Sequence, residues 1–289
     1  MAKVRAPEAA RSMALDAAVP TEAERVSRAG TWGRRGRVLG FNAVAVLAIL
    51  LAWQAATFVV RSVFFPSPAQ VLRALVDLAV NGDVLGLSLL THMGRSLVRL
   101  LAGFALGTIM AVPLGLVMGL YRPLYQGTRA AIEPFRFIPP IAWIPLAIVL
   151  LSGFQRYVFL IWLGAFFPVF VATLVGVPRV EPIHRNVARV HGAGKWYTLT
   201  RVVIPSVLPD IMGGMRVGMG TAWMTIVAAE MTGGESTGLG KMMVNYAELI
   251  RIPEIVVGMI LIGALGFGMN EVLLRIERHL FRWRWEVKL

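Results

Sequence analysis

The sequence predicts an all-α membrane protein, a helical bundle with six transmembrane helices, and three observations predict it. Of 289 residues, 57% are apolar and only 16% charged, with a mean hydropathy of +0.68. A soluble domain carries roughly 25% charged residues to build its solvated shell. The apolar residues fall into six runs, at 38–60, 97–120, 132–153, 157–177, 210–231 and 255–274. Each is close to the ~20 residues that cross a hydrocarbon core as a helix. The formal charge of +13 is concentrated between these runs, which suits anchoring to anionic lipid and makes nucleic acid unnecessary as a partner. The absence of cysteine excludes disulfides, thiolate metal sites and cysteine nucleophiles. His92, His184, His191 and His279 are scattered without metal-ligand spacing, so no zinc site is expected.

Residues 1–37 carry Lys3, Arg5, Arg11, Arg25, Arg28, Arg34, Arg35 and Arg37 among Ala, Ser, Glu and Pro, with no apolar run. They read as a disordered basic tail. The run 38–60 would span about 34 Å as a helix, and it exceeds the apolar region of a cleavable signal. After Pro66 and Pro68, residues 69–80 form an amphipathic stretch with Val71, Leu72, Leu75, Val76 and Ala79 on one face, expected to lie in the membrane interface. Pro113 falls in the second run, Pro139, Pro140 and Pro145 in the third, and Pro168 in the fourth. Breaks of this kind persist in lipid only where neighbouring helices or water satisfy the freed carbonyls, so the helices must pack as a bundle. With the amino terminus inside, 21 of the 29 Lys and Arg residues lie in inside segments, and the positive-inside bias puts both termini in the cytoplasm. This tally assigns Arg99, near the start of its run, to an outside segment and Arg136 to an inside one, which leaves Arg216 as the one basic residue assigned to a span. The bundle covers 38–276, and 277–289 is a cytoplasmic tail.

Between the fourth and fifth runs lies an inside loop at 178–209, long for a compact bundle. Ile183, Val187, Val190, Gly194 and Tyr197 recur at helical spacing, with Arg185, Arg189 and Lys195 on other faces. Gly192 and Gly194 break the pattern into two short helices, and Pro205 and Pro209 open the next run. An amphipathic pair too short to span suits a groove on a soluble partner; an interfacial helix on lipid is the alternative.

Here the residues resemble a known family. The stretch from Asn186 to Pro205 resembles the coupling loop of ATP-binding-cassette (ABC) importer permeases, whose pattern is Glu-Ala-Ala, three residues, Gly, nine residues, Ile, one residue, Leu-Pro. Ala188, Gly192 and Pro205 match in register; Asn186, Val187, Val202 and Ile204 depart, so the pattern's carboxylate is missing at Asn186. Phe65 to Pro68, Gly103 to Gly107, Pro113 to Gly115, Ile138 to Leu146, Gly220 to Trp223 and Ala228 to Glu230 are similar to the nitrate, sulfonate and taurine branch, so the resemblance spans nearly all the chain after residue 38. It implies a type I importer permease in a bacterial inner membrane, present as a homodimer, with an ABC ATPase dimer below and a periplasmic or lipid-anchored substrate-binding protein above. It also implies that Asn186, Ala188, Arg189, Gly192, Ala193, Gly194 and Pro205 couple to the ATPase. ATP would be bound by that partner, since this chain lacks a Gly-x-x-x-x-Gly-Lys-Ser/Thr phosphate loop. The implied substrate is a small oxyanion, sulfonate, taurine or nitrate; bicarbonate, aromatic acids and thiamine-precursor pyrimidines are the alternatives.

For the translocation path the candidates are Pro139, Trp143, Arg216, Met219, Trp223 and Glu230. Each has a structural alternative. Arg216 could bind freed carbonyls or inner headgroups, Glu230 could hydrogen-bond loop backbone, and Pro139 and Trp143 could shape a bent helix. Gly214 and Gly218 form a small-xxx-small pair suited to helix packing. A secondary transporter would be expected to show inverted repeats and midplane carboxylates, and the runs hold almost no Asp or Glu.

Overall fold

The computed structural model describes residues 22–60 and 62–281, in two units that meet between Pro68 and Ala69. The first contains α1 (Glu22–Val60), whose apolar portion, Gly40–Val60, is long enough to cross a membrane. Helical backbone begins at Glu22, so part of the stretch expected to be a disordered tail continues the first helix; residues 1–21 lie outside the described residues. Beyond α1 the chain turns back, and the Trp53 indole N–H donates to the Pro66 carbonyl at 3.1 Å.

The second unit runs α2 (Pro68–Asn81), α3 (Leu89–Leu120), α4 (Arg122–Phe137), a 3-10 turn (Pro140–Trp143), α5 (Ile144–Leu150), α6 (Gly153–Arg179), α7 (Pro182–Val190), α8 (Lys195–Thr198), α9 (Ile204–Thr232), α10 (Leu239–Glu248) and α11 (Ile252–Leu280). The amphipathic α2 forms as expected, but its buried side is Val71, Ala74 and Leu78, while Leu72, Val76 and Ala79 are exposed. The apolar arc is wider than one face, and packing selected the edge.

At the centre stands α6, flanked by α3 and α9. Gly103, Gly107, Gly115 and Gly119 fall at multiples of four residues on one side of α3, and a Cβ at any of them would sit within 3 Å of Ile161, Ala165, Thr173 or Val177. Without a hydrophobic drive between helices in lipid, such stripes bring backbones close enough for dispersion to hold them. Both series of residue numbers rise together, so α3 and α6 run parallel. On the other side of α6, Gly214 approaches Ala172 and Gly218 approaches the Ala165 carbonyl, an antiparallel pairing that makes this small-xxx-small pair a packing device.

Parallel α3 and α6 decide the number of crossings. Gly103 lies level with Ile161, so between Leu120 and Gly153 the chain must return about 37 Å along the bundle axis. The segment that makes this return is the third run, expected at 132–153 as a helix broken by its prolines. It is α4 followed by the 3-10 turn and α5, bent by 86°. Pro139 and Pro140 supply no backbone N–H, and each disfavours helical geometry in the residue before it; Ile138 is accordingly extended at φ −77°, ψ 114°. Among the described residues five helices are long and apolar enough to cross a membrane, and the bent pair makes a sixth crossing if it counts as one span.

Candidate functional site

Two places in the second unit carry more than apolar packing, one at each end of the bundle. The first is the exposed loop where α6 finishes and α9 begins. The end of α7 is built by its hydrogen bonds: the Gly192 N–H donates to the Arg189 carbonyl at 2.9 Å and the Ala193 N–H to the Ala188 carbonyl at 3.0 Å. This paired 5→2 and 6→1 closure is a Schellman cap, which requires a left-handed residue just past the helix. Gly192 supplies it at φ +75°. Thus the Ala188 and Gly192 of the motif occupy the two ends of one capping geometry. Gly194 then starts α8, and a wider five-residue turn, Leu199–Val203, leads into α9 with Pro205 in its first turn. The expected second short helix is α8, and it runs on through this turn into α9, so that Lys195–Thr232 is one continuous 38-residue stretch.

The loop's apolar residues are uncovered. Ile183, Val187, Trp196 and Tyr197 are exposed, and Val190 is 85% exposed. Asn186 and Arg189 are exposed beside them, while Ala188 and Ala193 are half-buried under the cap. An apolar stripe that no described residue covers, rimmed by Arg189, Lys195 and Arg201, is the surface such a helix offers to a partner groove.

The second place is a buried polar network at the opposite end, where α3 begins and α9 ends. Arg99 is 2% exposed. Its guanidinium donates to Glu230 Oε1 at 2.9 Å, to the Thr237 carbonyl at 2.8 Å, to Thr237 Oγ1 at 3.0 Å and to Glu235, and lies 4.3 Å over the Tyr157 ring. Glu230 also accepts from Ser96 Oγ at 2.8 Å and from the Gly240 N–H at 3.1 Å. With the proton on Nε2, His92 donates to Asp83 Oδ2 at 3.1 Å and accepts from the Gly238 N–H at 3.1 Å. A charge this deep is tolerated only when paired and fully hydrogen-bonded. The network fastens the 235–240 segment to α3.

The backbone partner of Glu230 is the first turn of α10, where a loop backbone had been one of its two expected surroundings. Its main partner went unread: Arg99 lies inside α3, not in an outside segment, so Arg216 is not the only basic residue within a crossing. A signal existed, since His92, Ser96 and Arg99 fall at i, i+4 and i+7, one polar face in an apolar helix.

The remaining path candidates are dispersed. Arg216 pairs with Glu277 of α11, a partner assigned by sequence to the tail; α11 continues to Leu280, and residues 282–289 lie outside the described residues. Met219 is buried in the core with Leu160 and Ile161. Trp223 donates to the Ile262 carbonyl at 3.1 Å, which fixes α11 against α9. Pro139 precedes the 3-10 turn, and Trp143 sits between Phe135 and Phe159 at ring distances of 6.2 and 6.4 Å.

Long apolar helices, three of them packed through glycine, with a capped turn held out at one end, define the class: a polytopic α-helical membrane protein. The chain belongs to the family of binding-protein-dependent transport system inner membrane components, whose profile matches residues 103–285. It is 38% identical over 251 residues to a probable ABC transporter permease protein of Brucella abortus, covering 85% of this chain and 96% of that one. It is 31% identical to the taurine transport system permease protein TauC of Escherichia coli (85% and 90% covered) and 31% identical to the nitrate import permease protein NrtB of Synechocystis (81% and 86%). Its fold is similar to that of an inward-facing MetNI methionine ABC transporter chain, with a TM-score of 0.59 and 19% identity, covering 66% of this chain and 95% of that one. The protein is thus an inner-membrane permease component of an ABC importer.

Proposed function

We propose that this permease carries a small oxyanion, a sulfonate such as taurine or else nitrate, across the bacterial inner membrane as one of two identical copies. An ABC ATPase dimer docks on α7 and α8 from the cytoplasm, and a substrate-binding protein delivers from the opposite side. The observation that carries this reading is the Schellman-capped, uncovered helix pair at the end where α6 and α9 meet. The taurine and nitrate names of relatives similar over more than four-fifths of the chain support the substrate class. In proteoliposomes containing the ATPase and binding protein encoded beside it, the permease should accumulate taurine or nitrate only with ATP and binding protein both present. Uptake driven by an ion gradient without ATP would overturn the reading in favour of a secondary transporter.

In this proposal both termini and the 178–209 loop face the cytoplasm, and the cysteine-free chain makes that directly measurable. Single cysteines at Ser27, Tyr197 and Ser236 should be labelled by an impermeant thiol reagent in intact spheroplasts only at Ser236. Labelling at Tyr197→Cys from outside would invert the topology.

A further inference from the structure

A groove of 670 Å³ runs between α6 and α9, with the end of α4 as a third wall. Along α9 it extends from Pro209 to Thr221, about 18 Å, so it opens at the loop end and reaches the middle of the bundle. Its volume falls within the range of small-molecule sites. Among the described residues its charged lining consists of Arg136, Arg179 and Asp210 in otherwise apolar walls. Arg216, held by Glu277, is not part of that lining.

The charges do not cancel. Arg179 is matched by Asp210 at 3.2 Å. Among the described residues Arg136 has one carboxylate partner, Glu133 at 3.3 Å, and lies 5.0 Å over the Phe137 ring; that carboxylate is also 3.7 Å from Arg129 and accepts from the Tyr125 hydroxyl at 2.9 Å. One carboxylate shared between two guanidiniums leaves a net positive charge beside the groove, and low-dielectric walls focus such a field on whatever enters. We propose that this groove is an anion-taking vestibule in which Arg136 is the specificity-determining cation, with Arg179 and Asp210 setting the charge at its mouth. The proposal deepens the importer reading and rests on it for what moves through the groove.

The groove's charge can be read without knowing the transported solute. A Cβ at Gly213 meets no heavy atom within 4 Å, so Gly213→Cys places a lone thiol in the groove with the packing intact. In the full-length protein in nanodiscs at low ionic strength, its modification rates by ethylsulfonate and trimethylammonium-ethyl methanethiosulfonates are compared, each relative to a free thiol. The sulfonate should be favoured by about tenfold. Adding Arg136→Gln should remove most of that preference, Arg136→Lys should keep it, Asp210→Asn should increase it, and Arg216→Gln should leave it unchanged. No preference, a preference insensitive to Arg136→Gln, a shift produced by Arg216→Gln instead, or no reaction with either reagent would each overturn the proposal. Failure here with ATP-driven taurine or nitrate uptake intact would remove the groove's role alone; a sulfonate preference without uptake would remove the importer reading alone.

Discussion

Arg99→Ala is expected to destabilise the permease by about 3–5 kcal/mol, because it strands the buried Glu230 carboxylate without its cation. Four hydrogen-bonding groups, Glu230, Glu235 and both oxygens of Thr237, lose their donor at once. The measurement is the thermal midpoint of the purified protein in detergent, with proteolysis between α9 and α10 as a local probe. The loss should be partly reversed by adding Glu230→Gln, which removes the stranded charge while keeping groups that can bond Ser96 and the Gly240 N–H. If Arg99→Ala alone changes neither the midpoint nor the proteolysis, the network contributes nothing to holding this end together.

Gly192→Val should abolish transport and ATPase association while leaving the bundle folded. A β-branched residue is strongly disfavoured at φ +75°, with a cost of at least about 1–2 kcal/mol, and the easiest relief is to lose the Schellman cap and swing α7 away. A Cβ there meets nothing within 4 Å, so any effect arises from backbone conformation and the partner, not from a clash within the chain. Gly192→Asn separates those two causes. Asn tolerates the left-handed region, so it should retain most coupling if the cap is what matters and lose it if the ATPase leaves no room for a side chain. Co-purification with the ATPase, alongside uptake, reads both; normal uptake by Gly192→Val would remove the coupling role from this turn.

The two ends of the bundle were unequally legible. At the loop, helical spacing and the glycines at 192 and 194 were local signals, and local hydrogen bonding realised them, since a Schellman cap involves residues within five positions of one another. At the opposite end the partners are far apart in sequence. Arg99 and Glu230 are separated by 131 residues and His92 and Gly238 by 146, and no spacing rule joins them. Arg99 lies at the very start of its run, and only a helix beginning at Leu89, eight residues before that run, places it well inside α3 beside His92 and Ser96. Gly103, Gly107 and Gly115 belong to separate short motifs, and only the continuous helix α3 puts them on one stripe with Gly119.

By itself the sequence determined the all-helical membrane class, the apolar runs long enough to cross, the breakpoint at Pro139 and Pro140, the turn at Gly192 and the family. Each of these follows from composition or from chemistry within a few residues: apolar length sets a crossing, a missing N–H ends a helix, a missing Cβ permits a left-handed turn. Only the tertiary structure decided that α3 and α6 run parallel, that Arg99 and Glu230 share one buried network, that Arg216 is held by Glu277, and that Arg136 rather than Arg216 borders the groove. In a bundle, which face of a helix meets which neighbour depends on the rotation of every helix about its axis. That rotation is fixed by the fit of glycine stripes against distant side chains, a property of pairs that no single segment contains.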